Sequence, residues 1–326
     1  MPRDDISQQQ IRVLVTGAGG PAAVSVIKSL GLDPTVALLA ADMDPWAAGL
    51  YLVPPSARTL IPAGLDPGFA STVLARCTAL GVHVLIPTVD AEMRPLARAR
   101  AEFAAAGIEL MLAPARALDL TLDKLALARC CEGQVRVPRT ERFDDTLDPK
   151  SWDYPVVLKP RTGSGSRDIS VVASARELAA LERSEEFIVQ EYLPGEEYTV
   201  DVLSDLSGAP LLAVPRARLE TKDGISSKGR VFRDEEMERL CLELARHLGL
   251  KGPTCMQLKR DEAGRPKFME VNPRIGGGSM FTTLAGVNIP MLLLQLIAGM
   301  QLAPQKAKEI VVLRYYEEVV LDNHDQ

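Results

Sequence analysis

The segment Ile11–Gly31, IRVLVTGAGGPAAVSVIKSLG, constrains the fold most: an apolar run, a turn with three glycines, then helical periodicity that stops at a glycine. That order of strand, loop and helix opens a βαβ unit. Two further apolar runs continue it, TVALLAAD ending in Asp42 and VHVLIPTVD after a helical segment from Phe69 to Leu80. Short buried strands alternating with helices predict a parallel, doubly wound sheet over roughly residues 11–115, with a ligand crevice at the strands' carboxyl ends. Residues 116 to about 140 read as a helical connection in which Thr121 caps a helix containing Lys124.

After Pro155 the texture changes to closely spaced strands, PVVLK, DISVV, FIVQE, EYTVDVL, PLLAVPR, TCMQLK and KFMEV, which predict antiparallel sheet. One amphipathic helix interrupts them, with Met237, Leu240, Cys241, Leu244, Ala245 and Leu248 on one stripe and Gly249 at its end. The 326 residues suffice for two or three packed modules, and a net charge of -6 with no Lys/Arg block argues against non-specific nucleic-acid binding. The polar start MPRDDISQQQ lacks the apolar core of a signal peptide, and no apolar stretch is long enough for a membrane span, so a cytoplasmic location with no membrane partner is expected. The cysteines form no CxxC pair and the three histidines stand apart, which gives no indication of zinc or of disulfides.

Three places carry chemistry. Gly17, Gly19 and Gly20, with Ala22 and with Asp42 further on, match the spacing of a dinucleotide loop. The same loop also suits an anion-binding turn facing substrate, or a purely structural turn. Lys159 ends PVVLK and precedes Arg161-Thr162-Gly163-Ser164-Gly165-Ser166-Arg167, a loop able to fold over polyphosphate or to stand as an exposed hairpin. In TCMQLKRDEAGRPKFMEVNPRIGGGS, strand alternation sends Glu270 and Asn272 to one face, within reach of Gln257 across the hairpin. Such an oxygen set suits Mg²⁺ better than Ca²⁺, with strand-end polar residues as the plainer alternative. Arg274 and the glycines 276–278 follow directly, a guanidinium for a phosphoryl group and backbone open to close approach.

Lys124 in TLDKLAL, Lys159 in VVLKP with its glycine loop, QEYLPGEEYTVDV and MEVNPRIGGGS resemble, in order and spacing, the ATP-grasp superfamily. The likeness is greatest to single-module relatives of the carbamoyl-phosphate synthase large chain and to ATP-grasp amino-acid ligases. It implies an α/β protein: an N-terminal Rossmann-like domain over 1–115, a small lid subdomain with its helical connection over 116–190, and a C-terminal subdomain with the metal site over 191–326. It further implies ATP and Mg²⁺ as cofactors. Lys124 and Lys159 would contact the phosphates under a lid of Arg161, Gly163, Ser164, Gly165 and Ser166. Glu191 by its carbonyl and Leu193 by its N–H would hold adenine, and Glu197 the ribose. Gln257, Glu270 and Asn272 would hold the metal, Arg274 and Lys159 would act in phosphoryl transfer, and Gly19, Gly20, Arg230 and Gly277 would face substrate. Arg218 and Lys228 lie in the same substrate-end segment as Arg230.

The implied activity is a carboxylate–amine ligase acting through an acyl phosphate and releasing ADP and phosphate, on a small carboxylic acid and an amine, with a homodimer as the family-based expectation. A different ATP-grasp chemistry, a nucleotide-binding regulator, or an NAD-dependent oxidoreductase using Gly17, Gly19 and Asp42 are the competing classes.

Overall fold

The computed structural model describes residues 10–163 and 168–321, so Ser164, Gly165, Ser166 and Arg167 lie outside the described residues. Strands β1 (Ile11–Thr16), β2 (Val36–Asp42), β3 (Arg58–Leu60), β4 (Val84–Ile86) and β5 (Glu109–Leu110) form a sheet in the order β3-β2-β1-β4-β5, with every pair parallel. The chain leaves β1 toward β2 on one side and returns as β4 on the other. The crevice of such a sheet opens where that direction reverses, at the carboxyl ends of β1 and β4. Helices α1 (Pro21–Leu30), α2 (Phe69–Ala79), α3 (Asp90–Arg98) and α4 (Arg100–Ala105) connect the strands. Proline at the first position of α1 suits a helix start, where its missing N–H has no intrahelical partner to lose.

Two short helices follow, α5 (Ala115–Thr121) and α6 (Lys124–Cys131). Thr121 does not cap α6: it ends α5, and its hydroxyl donates back to the Ala117 carbonyl at 2.7 Å. Asp123 is the cap, accepting from the N–H groups of Leu125 and Ala126, because it sits where the backbone is still extended and a short side-chain oxygen reaches the first turn.

A four-stranded antiparallel sheet comes next, β6 (Thr140–Arg142), β7 (Val156–Pro160), β8 (Ser170–Val172) and β9 (Phe187–Glu191), in the order β6-β9-β7-β8, with α7 (Ala175–Ala180). It keeps a core of its own from Phe143, Leu147, Trp152, Val156, Leu158, Val172, Leu178 and Val189.

The third sheet holds β10 (Glu197–Ser204), β11 (Pro210–Lys222), β12 (Ile225–Val231), β13 (Gly252–Arg260), β14 (Pro266–Asn272) and β15 (Ile310–Leu313), in the order β14-β13-β10-β11-β12-β15. Helix α8 (Glu235–Leu248) covers one face, capped by Asp234 and ended by Gly249 in the left-handed region. It buries Met237, Cys241, Leu244, Ala245 and Leu248, the stripe read from periodicity. Helices α9 (Ser279–Leu284) and α10 (Ile289–Ile297) pack against α1. Each face of the parallel sheet runs into a face of this sheet. Leu14 shares a core with Tyr198 and Met256, whereas its neighbours Val13 and Val15 share one with Val231, Phe281 and Leu293. The parallel sheet is thereby fixed against the large one. No helix among the described residues is long and apolar enough to cross a membrane.

Candidate active site

Register decides what the large sheet presents. Across β11, β10, β13 and β14 the residues Arg216, Thr199, Gln257 and Glu270 stand opposite one another, and Val214, Asp201, Cys255 and Asn272 form the next row. Directly opposed residues of antiparallel strands share a face, so Gln257, Glu270 and Asn272 converge. Glu270 makes no hydrogen bond or ion pair among the described residues. A carboxylate left open beside two amide oxygens fits a hard cation that completes its shell with waters and phosphate oxygens. Among the described residues no group of three His, Cys, Asp or Glu side chains gathers as an all-protein cage.

This face forms one wall of a cavity of about 380 Å³. The opposite wall comes from the crevice of the parallel sheet, Gly20, Pro21, Ala22, Thr88 and Val89. Arg274 joins the two: its Nε donates to Asp90 at 2.5 Å and its Nη2 at 3.3 Å, while Nη2 also reaches Asn272 Oδ1 at 3.3 Å. Asp90 begins α3, so a carboxylate of the N-terminal domain orients the arginine beside the metal-type cluster.

Lys159, at the end of β7, is 7 % exposed and has no hydrogen-bond or ion-pair partner among the described residues. Burial pulls its ammonium down to about 8, the charge of Lys124 adds to this, and Glu270 and Glu197 oppose it. These are therefore neighbours. Lys124 Nζ donates to the Gly163 carbonyl at 2.7 Å. Arg161 does not turn toward a phosphate position: it grips Asp123 at 2.8 and 2.5 Å, holding the loop stem to the cap of α6. Glu197 accepts from Arg218 Nη1, and Glu191 is paired with Lys267 Nζ at 2.5 and 2.7 Å. Leu193 is buried. Two larger concavities, about 1060 and 600 Å³, share Arg139, Glu191, Arg265 and Lys267. None of Lys124, Lys159, Gln257, Glu270, Asn272 or Arg274 lines either, so size is a poor guide to chemistry here.

The substrate-side expectations divide. Gly20, Gly277 and Arg218 line the cavity. Gly19 does not: its N–H donates to Asp42 Oδ2 at 2.8 Å, and the other Asp42 oxygen accepts from Asp44 N at 2.9 Å. Each Asp42 oxygen thus accepts a backbone N–H, so this carboxylate braces the glycine turn and the loop after β2. Arg230 is misplaced as a substrate contact. It pairs in register with Ala217 and so projects to the other face from Arg216 and Arg218, exposed over Phe232 at 5.7 Å. Lys228 is engaged with Glu220 at 2.8 Å.

The glycines 276–278 have packing reasons of their own. A Cβ on Gly276 would lie 2.5 Å from Cys255 Sγ, one on Gly277 3.2 Å from Pro21 Cγ, and one on Gly278 would collide with the Arg216 guanidinium. Sequence reasoning missed Asp90, the Arg216–Asp201 pair and Arg314. Arg216 is fully buried, donating to Asp201 from Nε and Nη2, each at 2.8 Å, while Thr282 donates to the same carboxylate. Charged residues inside the strands EYTVDVL and PLLAVPR are the signal that marks them. Arg314, just past β15, lies over Phe281 and donates to the Gly277 carbonyl, which also accepts from Ser25 Oγ at 3.0 Å.

Under the glycine turn, whose Gly17 has φ +70, Thr16 donates to the buried Glu92 carboxyl. Burial pushes Glu92 up to about 7 from an ordinary 4.5, with the charge of Asp42 adding to it and hydrogen bonds from Thr16 and backbone opposing. A carboxyl raised in the folded state contributes stability that is complete below pH 4.5 and is lost as pH rises through 7. Its full span is about 3 kcal/mol. Urea unfolding at pH 5 and pH 8.5 is expected to show this loss in the natural chain but not in Glu92→Gln; parallel pH dependence in both would exclude Glu92 as the source.

Residues 183–319 match the family described as ATP-grasp in the biosynthetic pathway with Ter operon. The D-alanine–D-alanine ligase of Thermotoga maritima is 32 % identical over 104 residues, a stretch covering 30 % of this chain and 34 % of the ligase. The match thus spans about a third of that enzyme's length. A carbamoyl-phosphate synthase of Methanobrevibacter smithii is 25 % identical over 260 residues, covering 74 % of this chain and 69 % of that protein. The biotin carboxylase domain of Hydrogenobacter thermophilus 2-oxoglutarate carboxylase, solved with MgADP, ADP and bicarbonate, has TM-score 0.72 at 19 % identity, covering 92 % of this chain and 72 % of that one. An ADP complex of N5-carboxyaminoimidazole ribonucleotide synthetase has TM-score 0.72 at 16 % identity, covering 94 % and 81 %. At such identities the structural likeness speaks for the fold alone: the chain has the fold of the ATP-grasp enzymes, and its residues 183–319 match an ATP-grasp family.

Proposed function

We propose that the protein is an ATP-dependent carboxylate–amine ligase, which phosphorylates a carboxylic acid with ATP and passes the acyl group to an amine, releasing ADP and phosphate. The observation that carries this reading is the open Glu270 carboxylate in one row with Gln257, beside Asn272 and Arg274, and near enough to the buried Lys159 for its charge to favour the protonated ammonium. The ADP held by the solved relatives agrees with the nucleotide.

Lys159 and Lys124 neutralise the phosphates, Lys124 exchanging the Gly163 carbonyl for one of them. Glu197 takes the ribose hydroxyls, and the Glu191 carbonyl and Leu193 N–H take adenine. Gln257, Glu270 and Asn272 hold Mg²⁺, which supplies charge neutralisation at the phosphoryl oxygens. Arg274, held in place by Asp90, aligns the γ-phosphoryl group for attack by the carboxylate oxygen. The step forms the new O–P bond as the bond to ADP breaks. The amine then adds to the acyl carbon, the carbon–oxygen bond breaks so that phosphate departs carrying the bridging oxygen, and one proton is released from nitrogen.

Balance of atoms makes the test direct. With ¹⁸O in the substrate carboxylate, one labelled oxygen is expected in the phosphate released, together with ADP. Recovery of AMP and pyrophosphate, or of unlabelled phosphate during amide formation, would exclude the acyl phosphate.

A further inference from the structure

We infer that one of the two substrates carries an anionic group, carboxylate or phosphate, that takes no part in the reaction, and that Arg216 and the first turn of α1 receive it. The inference rests on the ligase reading and concerns the substrate end of the same cavity. Arg216 lines that cavity with only 2 % of its side chain exposed. Asp201 takes Nε and Nη2, and Thr282 holds Asp201 in turn, so the plane of the guanidinium is fixed. Its Nη1 has no acceptor among the described residues. This nitrogen lies against Gly278, where a Cβ would collide with it, and Gly278 lines the same wall.

The start of α1 reaches the same part of the wall. Gly20, Pro21 and Ala22 line the cavity, and Gly20 supplies no side-chain cap. Pro21 has no N–H to give, and those of Ala22 and Ala23 meet no acceptor among the described residues. The positive end of a ten-residue helix is thus left open. A Cβ on Gly277 would lie 3.2 Å from Pro21 Cγ and 3.9 Å from Ala22 N. Gly277 and Gly278 are consecutive, so the helix start and Arg216 Nη1 flank one short stretch of backbone, and neither glycine has a side chain to fill the space.

The charges at this end do not cancel. Arg216 is matched by Asp201, Arg218 by Glu197 and Arg274 by Asp90. Arg314, which donates to the Gly277 carbonyl, has no carboxylate partner among the described residues; burial, and then the charge of Arg216, pull it below the ordinary arginine value. Of the acids in the cavity lining, Glu270 belongs to the metal-type cluster and Asp223 is exposed in the turn between β11 and β12. Arg218, in the same wall, also keeps a buried Nε without an acceptor. An anion seated between Arg216 Nη1 and α1 supplies an acceptor to both and offsets the charge of Arg314. A neutral or cationic group does not.

The test uses the full chain saturated with Mg²⁺ and a non-hydrolysable ATP analogue, so that the γ-phosphate position is filled, and titrates inorganic phosphate by calorimetry. Binding of a further phosphate is expected. Gly20 has extended backbone that any residue adopts, and Gly20→Asp caps α1 with its own carboxylate. That variant is expected to bind the phosphate about tenfold or more weakly, with the affinity for the ATP analogue unchanged. Asp201→Leu with Arg216→Met, which removes the anion's partner without stranding a charge, is expected to weaken it likewise. No binding, or phosphate that binds equally in all three chains as an adventitious ion only, overturns the inference. ADP release then gives the class, from pairs alike except for the anionic group: propionate and succinate as acid, alaninamide and alanine or ethanolamine and phosphoethanolamine as amine. The anionic member is expected to have a kcat/KM about tenfold or more above its partner, an advantage lost in Gly20→Asp, and alanine against phosphoethanolamine separates carboxylate from phosphate. Uncharged members that react as well, or an advantage kept in both variants, overturn the inference while leaving the ligase reading intact. If no pair reacts, the titration alone decides. Failure to bind the ATP analogue overturns the ligase reading itself, and phosphate titration of the free chain and its variants then decides the anion site separately.

Discussion

Glu270→Gln is expected to reduce ADP release about a thousandfold or more while leaving the unfolding free energy within about 0.5 kcal/mol of the natural chain. Glu270 has no partner among the described residues, so the amide removes no hydrogen bond from the fold. What it removes is the single carboxylate of the Gln257, Glu270 and Asn272 cluster, and with it most of the site's attraction for a divalent cation. It also removes a charge that favours protonated Lys159, leaving burial to pull that lysine lower still. Steady-state ADP release across a magnesium titration, set beside urea unfolding of the same preparation, separates these effects. Near-normal turnover in the variant would show that the metal sits elsewhere.

Asp201→Ala is expected to act in the opposite way, costing about 3–5 kcal/mol of stability. Arg216 is fully buried in the cavity wall and its charge is met by Asp201 through two hydrogen bonds; removing the carboxylate leaves the guanidinium without those acceptors and deprives Thr282 of its own. The companion double variant Asp201→Leu with Arg216→Met takes out both charges and is expected to recover much of the loss, since a well-packed apolar pair is often as stable as the ion pair it replaces. Unfolding midpoints of the three chains decide the matter. A single variant that loses less than about 1 kcal/mol would mean that the pair behaves as a solvated one.

Much of this architecture is legible in local pattern. The Glu270 and Asn272 face follows from strand alternation alone, and the register places Gln257 directly opposite Glu270. The stripe on α8 follows from helical period. Strand β12, ISSKGRV, escapes notice because Gly229 and two charged residues dilute its apolar signal, and it is a strand only through its ladders to β11 and β15. Whether Arg218 or Arg230 faces the cavity depends on which side of that ladder each falls, a tertiary fact absent from the spacing. The same holds for Arg161, drawn to Asp123 across 38 positions, and for Asp90, which reaches Arg274 across 184. The glycine run 276–278 shows the limit from the other side. The residue type was informative, but what crowds it is Cys255, Pro21 and Arg216.

The bonds around the Gly277 carbonyl bear on when the site can come into being. Ser25 and Arg314, 289 positions apart, meet there, and Gly277 stands 252 positions after Ser25. During synthesis the amino-terminal crevice emerges first and waits for its other wall. At about 5–20 residues per second, some 15–60 s separate the two halves of this contact. In a nascent chain the helix start at Pro21 and the apolar residues around it stay unmatched for that interval. A nascent chain that ends before Gly276 therefore lacks part of the cavity's second wall, and recovery of nucleotide-dependent protease protection should track the emergence of the 276–278 turn.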